Sequence, residues 1–142
     1  MATVIKIKNI EEGFQSIITN GKHTIIGDEP ITSKGTDLGL APSELVLSGL
    51  AMCKVGTVRF IARKNNWEIE NVTAELVQEV ARGEGGLKTT IQIKMIIEGN
   101  LSEEQKEELI KQADRCYIHR LLNSEWDIMP ITLYIKCTAT NS

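Results

Sequence analysis

The sequence predicts an α+β domain in which helices lie on antiparallel sheets. Three observations favour this fold class: short stretches of alternating apolar residues, an Asn20-Gly21 pair typical of a hairpin turn, and segments with helical apolar spacing. At 142 residues the chain is long enough to bury a core of its own. We therefore expect one domain over residues 1–142.

The N-terminal part of the chain is predicted to form a small sheet. Val4 to Lys8 alternates in polarity, as a strand does. Gln15 to Thr19 and Lys22 to Gly27 flank the Asn20-Gly21 pair and form a predicted hairpin. The next segment, 28–39, contains one proline and two glycines and is predicted to be an ordered loop.

The most apolar segment, Pro42 to Lys64, is predicted to be a long central helix. Pro42 suits the first helical position, where its missing N–H would have no partner in any case. The polar side of the segment is thin until Arg59, so we expect the helix to be largely buried. One small domain can hardly cover such a helix, and we expect a homodimer with two of these helices at its centre.

The second half of the chain is predicted to add strands and a helix. Trp67 to Val80 and Leu87 to Glu98 are expected to be two long strands, and Pro130 to Cys137 a last strand. Ser102 to Gln105 forms a capping box that opens a helix reaching about Cys116. A further helical turn or two is expected at Tyr117 to Asn123.

Composition and sequence pattern argue against several binding partners and cellular locations. The net charge is −3 and aromatic residues make up 4% of the chain, so we expect no nucleic-acid partner. The uninterrupted apolar runs are far shorter than the ~20 residues of a membrane span, and the first residues do not resemble a signal peptide. Three cysteines without close spacing do not form a secreted disulfide framework. We therefore expect a cytoplasmic protein with no membrane partner.

Two cysteines, Cys53 and Cys116, lie on the apolar faces of predicted helices, and Cys137 lies on the inner face of the predicted last strand. Position alone favours buried free thiols that act as small hydrophobic residues. Cys116 and His119 could face one metal ion, but a zinc site needs about four ligands and the sequence offers no second pair. No phosphate-binding or dinucleotide-binding glycine motif is present. We expect neither a metal nor a cofactor.

The segments around the two cysteines resemble a known family. The matching stretches are HTIIGDEP from His23, GTDLG from Gly35, PSELVLSGLAMC from Pro42 to Cys53, LSEEQ from Leu101 and RCYIHRL from Arg115. They are similar to those of the OsmC/Ohr family, the osmotically inducible protein C and organic hydroperoxide resistance proteins. The resemblance covers nearly the whole chain, with the predicted elements in the family's order.

The resemblance implies an OsmC-like fold, an intertwined homodimer and a cysteine-based peroxidase without metal, haem or flavin. In the mechanism it implies, the Cys53 thiolate attacks a hydroperoxide and becomes a sulfenic acid, and Cys116 condenses with it to form a disulfide. A dithiol reductant, either a small molecule or protein-bound, then restores the pair by thiol exchange.

The chain departs from the active peroxidases of this family around the activating charge. Those enzymes place an arginine from the N-terminal strands near the first cysteine, held by a glutamate directly after the proline. Here no arginine precedes Arg59, and Ser43 follows Pro42, so Glu44 comes one place later. Glu44 and Arg120 are the candidate supporting residues, with Lys22, His23 and Arg115 as other sources of a cation, from either subunit. The departure favours an alternative function, a catalytically weak or inactive OsmC-like protein that binds a small apolar or thiol ligand between its helices.

Overall fold

The structure, a computed structural model, describes residues 2–138 and confirms the α+β architecture. The first three strands form a three-stranded antiparallel sheet in chain order, and the last two form a two-stranded antiparallel sheet. A long helix connects the two sheets, and two shorter helices follow the last strand.

The first sheet has the predicted hairpin. Its strands are β1 (Lys6–Asn9), β2 (Ser16–Thr19) and β3 (Thr24–Gly27). In the turn between β2 and β3, the Asn20 Oδ1 atom accepts hydrogen bonds from the backbone N–H groups of Lys22 (2.9 Å) and His23 (2.7 Å). Gly21 has φ +93°, a conformation that glycine adopts without strain. The Asn-Gly pair therefore sets the turn through both of its residues.

The loop between β3 and the long helix is organised by a buried carboxylate, that of Asp28. It accepts hydrogen bonds from the Thr36 hydroxyl (2.6 Å) and from the backbone N–H groups of Glu29 (2.7 Å) and Leu38 (3.0 Å). These bonds, led by that of Thr36, lower the pKa of Asp28 from 3.8 to about 2. At Gly35 a Cβ atom would overlap the backbone of Glu29, so this close approach requires glycine.

Helix α1 (Pro42–Lys64) has the predicted bounds and begins at its proline. Four of its residues, spaced by one turn, are buried: Leu50, Lys54, Val58 and Ala62. The expectation that the helix is largely buried is wrong for a single chain, because the elements packed on it cover only this stripe. Val46, Met52 and Phe60 are more than half exposed.

By length and composition alone, α1 is also the one helix within residues 2–138 that could cross a membrane. The sequence expectation considered only uninterrupted apolar runs. The helix as a whole is apolar enough because charged residues interrupt it at only a few positions. Core helices of soluble proteins have the same length and composition. The buried stripe of α1 packs against β4 (Ile69–Gly83) and α2 (Glu103–Ala113), as such a core helix does.

The second half of the chain builds the core against α1. Its elements are β4 (Ile69–Gly83), β5 (Gly86–Gly99), α2 (Glu103–Ala113) and α3 (Tyr117–Leu122). The predicted capping box is present, since Ser102 and Gln105 exchange side-chain and backbone hydrogen bonds. Val58 and Ala62 of α1 pack against Leu109 and Ala113 of α2 to form the buried core, which Trp67, Val72, Met95 and Ile97 surround.

The end of α2 differs from the prediction. The helix ends at Ala113 and not at Cys116, because the chain tightens there: the N–H groups of Arg115 and Cys116 bond to carbonyls three residues back. Cys116 has an extended conformation (φ −58°, ψ 153°) and occupies the N-cap position of α3. It is nonetheless buried together with Leu109 and Ala113, as the predicted face requires.

The predicted strand at Pro130 to Cys137 is wrong for this chain, since the segment is not a strand. A strand needs a partner for its backbone groups, and no β-bridge joins this segment to another part of residues 2–138. Its apolar side chains are exposed, with Ile131 at 92%. Cys137, expected on an inner face, is exposed as well.

Candidate active site

Two thiols meet where α1, α2 and α3 come together. Cys53 is half-buried on α1, and Cys116, 2% exposed, lies between α2 and α3. Both are free thiols, and Cys53 is close enough to Cys116 to affect its ionisation. The Cys53 sulfur accepts a hydrogen bond from the backbone N–H of Ile118 at 3.5 Å. The fold thus brings together two cysteines that are separated by 62 residues of sequence.

The two thiols are not equivalent. Burial raises the pKa of Cys116 above its ordinary value, and the neighbouring Cys53 raises it further. The backbone N–H of His119 and the positive charge of Lys54 oppose this rise without cancelling it. Ionisation of Cys116 is therefore disfavoured in the reduced site.

Sequence reasoning missed the residue next to Cys53. Lys54 is 1% exposed, and its Nζ donates a hydrogen bond to the carbonyl of Ala113 at 2.9 Å. It also lies 3.0 Å from Nδ1 of His119. The signal that could have found it is the spacing Leu50–Lys54–Val58–Ala62, which places a lysine in the middle of a buried helical stripe.

His119, which the sequence suggested only as a weak metal ligand, is the partner of this lysine. An ammonium group has only donors, so Nδ1 of His119 must accept the hydrogen bond from Lys54. With Nδ1 as the acceptor, the ring can still donate a hydrogen bond from Nε2. Among residues 2–138, no three His, Cys, Asp or Glu side chains lie close enough together to hold a metal ion.

A small cavity lies beside this histidine. It has a volume of about 190 Å³, and its apolar side chains come from α1, β5 and α3 and include Leu50, Ile91 and Leu122. His119 and Asn123 provide polar groups at its wall. The cavity has the mixed apolar and polar lining of a small-molecule site.

The other candidate residues are exposed to solvent in this chain. Glu44 is exposed in the first turn of α1, where its carboxylate accepts a hydrogen bond from the N–H of Ala41. Arg120 is exposed on α3, 6.0 Å from the ring centre of Tyr117. Lys22 and His23 are exposed in the hairpin turn, and Arg115 is exposed before α3. The cation in direct contact with the buried site is Lys54.

Comparison with known proteins decides the family. The sequence profile described as OsmC-like protein matches residues 35–129, about two-thirds of the chain and the part that contains both cysteines. The chain belongs to the OsmC-like protein family. No curated protein matches it significantly.

Solved OsmC-like structures have the same fold. One is an OsmC-like protein from Mycoplasma pneumoniae, with 21% identity and a TM-score of 0.73 over 87% of this chain and 88% of that one. Another is an organic hydroperoxide resistance protein from Legionella pneumophila, with 19% identity and a TM-score of 0.64 over 86% and 89%. A third is an organic hydroperoxide resistance protein from Elizabethkingia anophelis, with 15% identity and a TM-score of 0.61 over 82% and 84%. At these identities the structures establish the shared fold.

Proposed function

We propose that this OsmC-like protein is a cysteine-based peroxidase that reduces organic or small hydroperoxides through Cys53 and Cys116. The observation that carries the proposal is the proximity of the two thiols: the Cys53 sulfur lies 3.5 Å from the backbone nitrogen of Ile118, two residues after Cys116, and a peroxidatic and a resolving cysteine must reach each other. The hydroperoxide resistance proteins among the structures with this fold support the same chemistry.

Cys53 is the proposed peroxidatic residue. It is half-buried and can meet a substrate, whereas Cys116 is 2% exposed. The hydrogen bond from the N–H of Ile118 stabilises a negative charge on its sulfur. The thiolate attacks one oxygen of the hydroperoxide. The S–O bond forms as the O–O bond breaks, and the departing alkoxide takes a proton to leave as an alcohol.

Cys116 is the proposed resolving residue. Its sulfur attacks the sulfenic acid on Cys53, the S–S bond forms, and the hydroxyl group leaves as water. A dithiol reductant then reduces the disulfide by two exchange steps and is itself oxidised to a disulfide. No metal or organic cofactor enters this cycle.

The proposal includes a homodimer in the cytoplasm, with residues 1–142 acting as one domain. The outer face of α1 supports a dimer, because Val46, Met52 and Phe60 expose apolar surface that a second α1 would cover. The exposed alternating segment from Pro130 to Cys137 supports it too, because a partner subunit could supply the strand that this chain does not. A cytoplasmic setting would keep all three free thiols reduced.

A second candidate function is a weakly active or inactive protein that binds a small apolar or thiol ligand. The cavity beside His119 favours it, as does the position of Glu44 in the first turn of α1, where it serves as a cap. Under this alternative Cys53 would be a ligand contact and would not be consumed by peroxide.

The test is peroxide consumption with a dithiol reductant, using tert-butyl hydroperoxide as the probe. Cys53→Ser should abolish turnover, and Cys116→Ser should stop it after one equivalent unless the reductant attacks the sulfenic acid directly. Cys137→Ser is the matched control, because Cys137 is exposed and far from the pair in sequence. Equal rates for the wild type and Cys53→Ser would refute the peroxidase proposal and favour the binding protein.

A further inference from the structure

Within residues 2–138, the buried ammonium group of Lys54 has no carboxylate partner, since the one salt bridge there joins Lys106 and Glu103. Its two hydrogen-bond contacts are the Ala113 carbonyl and Nδ1 of His119, neither of which carries a negative charge. Burying a cation is costly unless a negative charge compensates it. The site therefore favours the appearance of a negative charge next to Lys54.

Cys116 is the group placed to carry that charge. The Ala113 carbonyl that accepts from Lys54 also accepts from the N–H of Cys116, at 3.2 Å. His119, the other partner of Lys54, lies in the first turn of α3, of which Cys116 is the N-cap residue. Lys54 thus contacts residues on both sides of Cys116, Ala113 and His119, and its positive charge favours the Cys116 thiolate.

The titratable groups around this sulfur come from two helices. Cys53 and Lys54 act on it from α1, and the ring of His119, from α3, contacts the Lys54 amine at 3.0 Å. The charged side chains at the end of α2 and before α3, Lys111, Asp114 and Arg115, are exposed.

We propose that Lys54 is a positioning residue for the resolving step: it stabilises the Cys116 thiolate once Cys53 has become a sulfenic acid. This inference rests on the proposed function. Before oxidation, negative charge on Cys53 opposes ionisation of Cys116. After oxidation the Cys53 sulfur carries a neutral hydroxyl group, so that opposition disappears while the attraction of Lys54 persists. The negative charge of the site then moves from Cys53 to Cys116.

The step balances without a further reactant. Cys116 loses its proton, and its thiolate attacks the Cys53 sulfur as the S–O bond breaks. The departing hydroxide and the proton released by Cys116 make one water molecule. The Cys116 sulfur is oxidised and the Cys53 sulfur is reduced as they share the new S–S bond. Lys54 keeps its own proton throughout.

The experiment compares Lys54→Met with the wild type in single-turnover oxidation by tert-butyl hydroperoxide, all in a Cys137→Ser background. Sulfenic acid on Cys53 is trapped with dimedone, and disulfide formation is followed by mass spectrometry. We expect Cys53 to be oxidised in both proteins and the disulfide to form about 10- to 100-fold more slowly in Lys54→Met at pH 7, because losing a neighbouring charge shifts a pKa by about one to two units. The deficit should shrink as the pH rises towards about 10, because Cys116 then ionises without help. A merely structural defect would not be repaired by pH.

Lys64→Met, at the exposed end of α1, is the matched control and should form the disulfide at the wild-type rate. Lys54→Arg keeps the charge and should retain most of that rate. If Lys54→Met does not fold, Lys54→Gln, which keeps a donor for the Ala113 carbonyl without the charge, replaces it. If the disulfide forms in Lys54→Met at the wild-type rate at pH 7, the inference about Lys54 is overturned and the proposed function stands. A wild-type Cys53 that peroxide does not oxidise would overturn the proposed function and this inference with it.

Discussion

Leu109 offers the sharpest test of how α2 is held against α1. Its side chain is fully buried on α2, one turn before Ala113, and packs with Val58 and Ala62. Leu109→Ala removes three carbon atoms from a site whose neighbours belong to other elements, so a cavity should remain. Leucine-to-alanine changes at such sites cost about 3 kcal/mol in the free energy of unfolding. For a chain of this length that cost corresponds to a melting temperature about 10 °C lower.

The measurement is urea unfolding followed by circular dichroism, with thermal melting as a second readout. Ile110→Ala is the matched control, because the next residue on the same helix is 42% exposed. It should cost less than about 1 kcal/mol. If Leu109→Ala destabilised the protein no more than Ile110→Ala, the packing of α2 on α1 through Leu109 would be refuted, and with it the support beneath the Ala113 carbonyl and Cys116.

Three further predictions concern the rest of the fold. The pKa of Asp28 is lowered in the folded state, so its contribution to stability is complete above about pH 4 and is lost as the pH falls towards 2. Asp28→Asn should therefore destabilise the protein in urea at pH 6 but hardly at pH 2, and an equal effect at both would contradict this account. Ser102→Ala should lower the free energy of unfolding by about 1 kcal/mol, because it removes the cap of α2. Ser43→Ala is the control and should not have this cost, because the Ser43 side chain caps no helix; similar losses for the two variants would argue against the cap. Truncation after Met129 should convert the proposed dimer into monomers, as measured by light scattering. A monomeric full-length chain would refute the dimer.

Local chemistry made most of the fold predictable. Pro42 fixed the start of α1, the Asn20-Gly21 pair located the hairpin, and Ser102 with Gln105 marked the start of α2. Each of these signals depends on a few neighbouring residues and their backbone hydrogen bonds. Cys53 and Cys116 were identified by resemblance, and their contact depends on how three helices pack, which no local pattern encodes.

What sequence reasoning missed depends on partners distant in the chain. Lys54 was left out because a lysine usually belongs to a solvated face, and only the tertiary packing supplies its two acceptors, Ala113 and His119. The segment from Pro130 to Cys137 alternates as a strand should, but pairing is decided by a second strand and not by the alternation itself. The end of α2 was placed too late because Cys116 is buried without being helical.

The contact between Cys53 and Cys116 also has a consequence for the strength of the reductant. A disulfide between them would close a loop of 62 intervening residues that contains the whole β4–β5 hairpin and α2. Closing a loop of that length costs an unfolded chain about 4 kcal/mol of conformational entropy, whereas the folded chain already holds the two thiols together. The bridge in the folded protein should thus have a reduction potential about 90 mV below that of the same pair in the unfolded chain. A dithiol that closes a ring on oxidation reduces a disulfide of such low reduction potential far better than a monothiol at the same concentration.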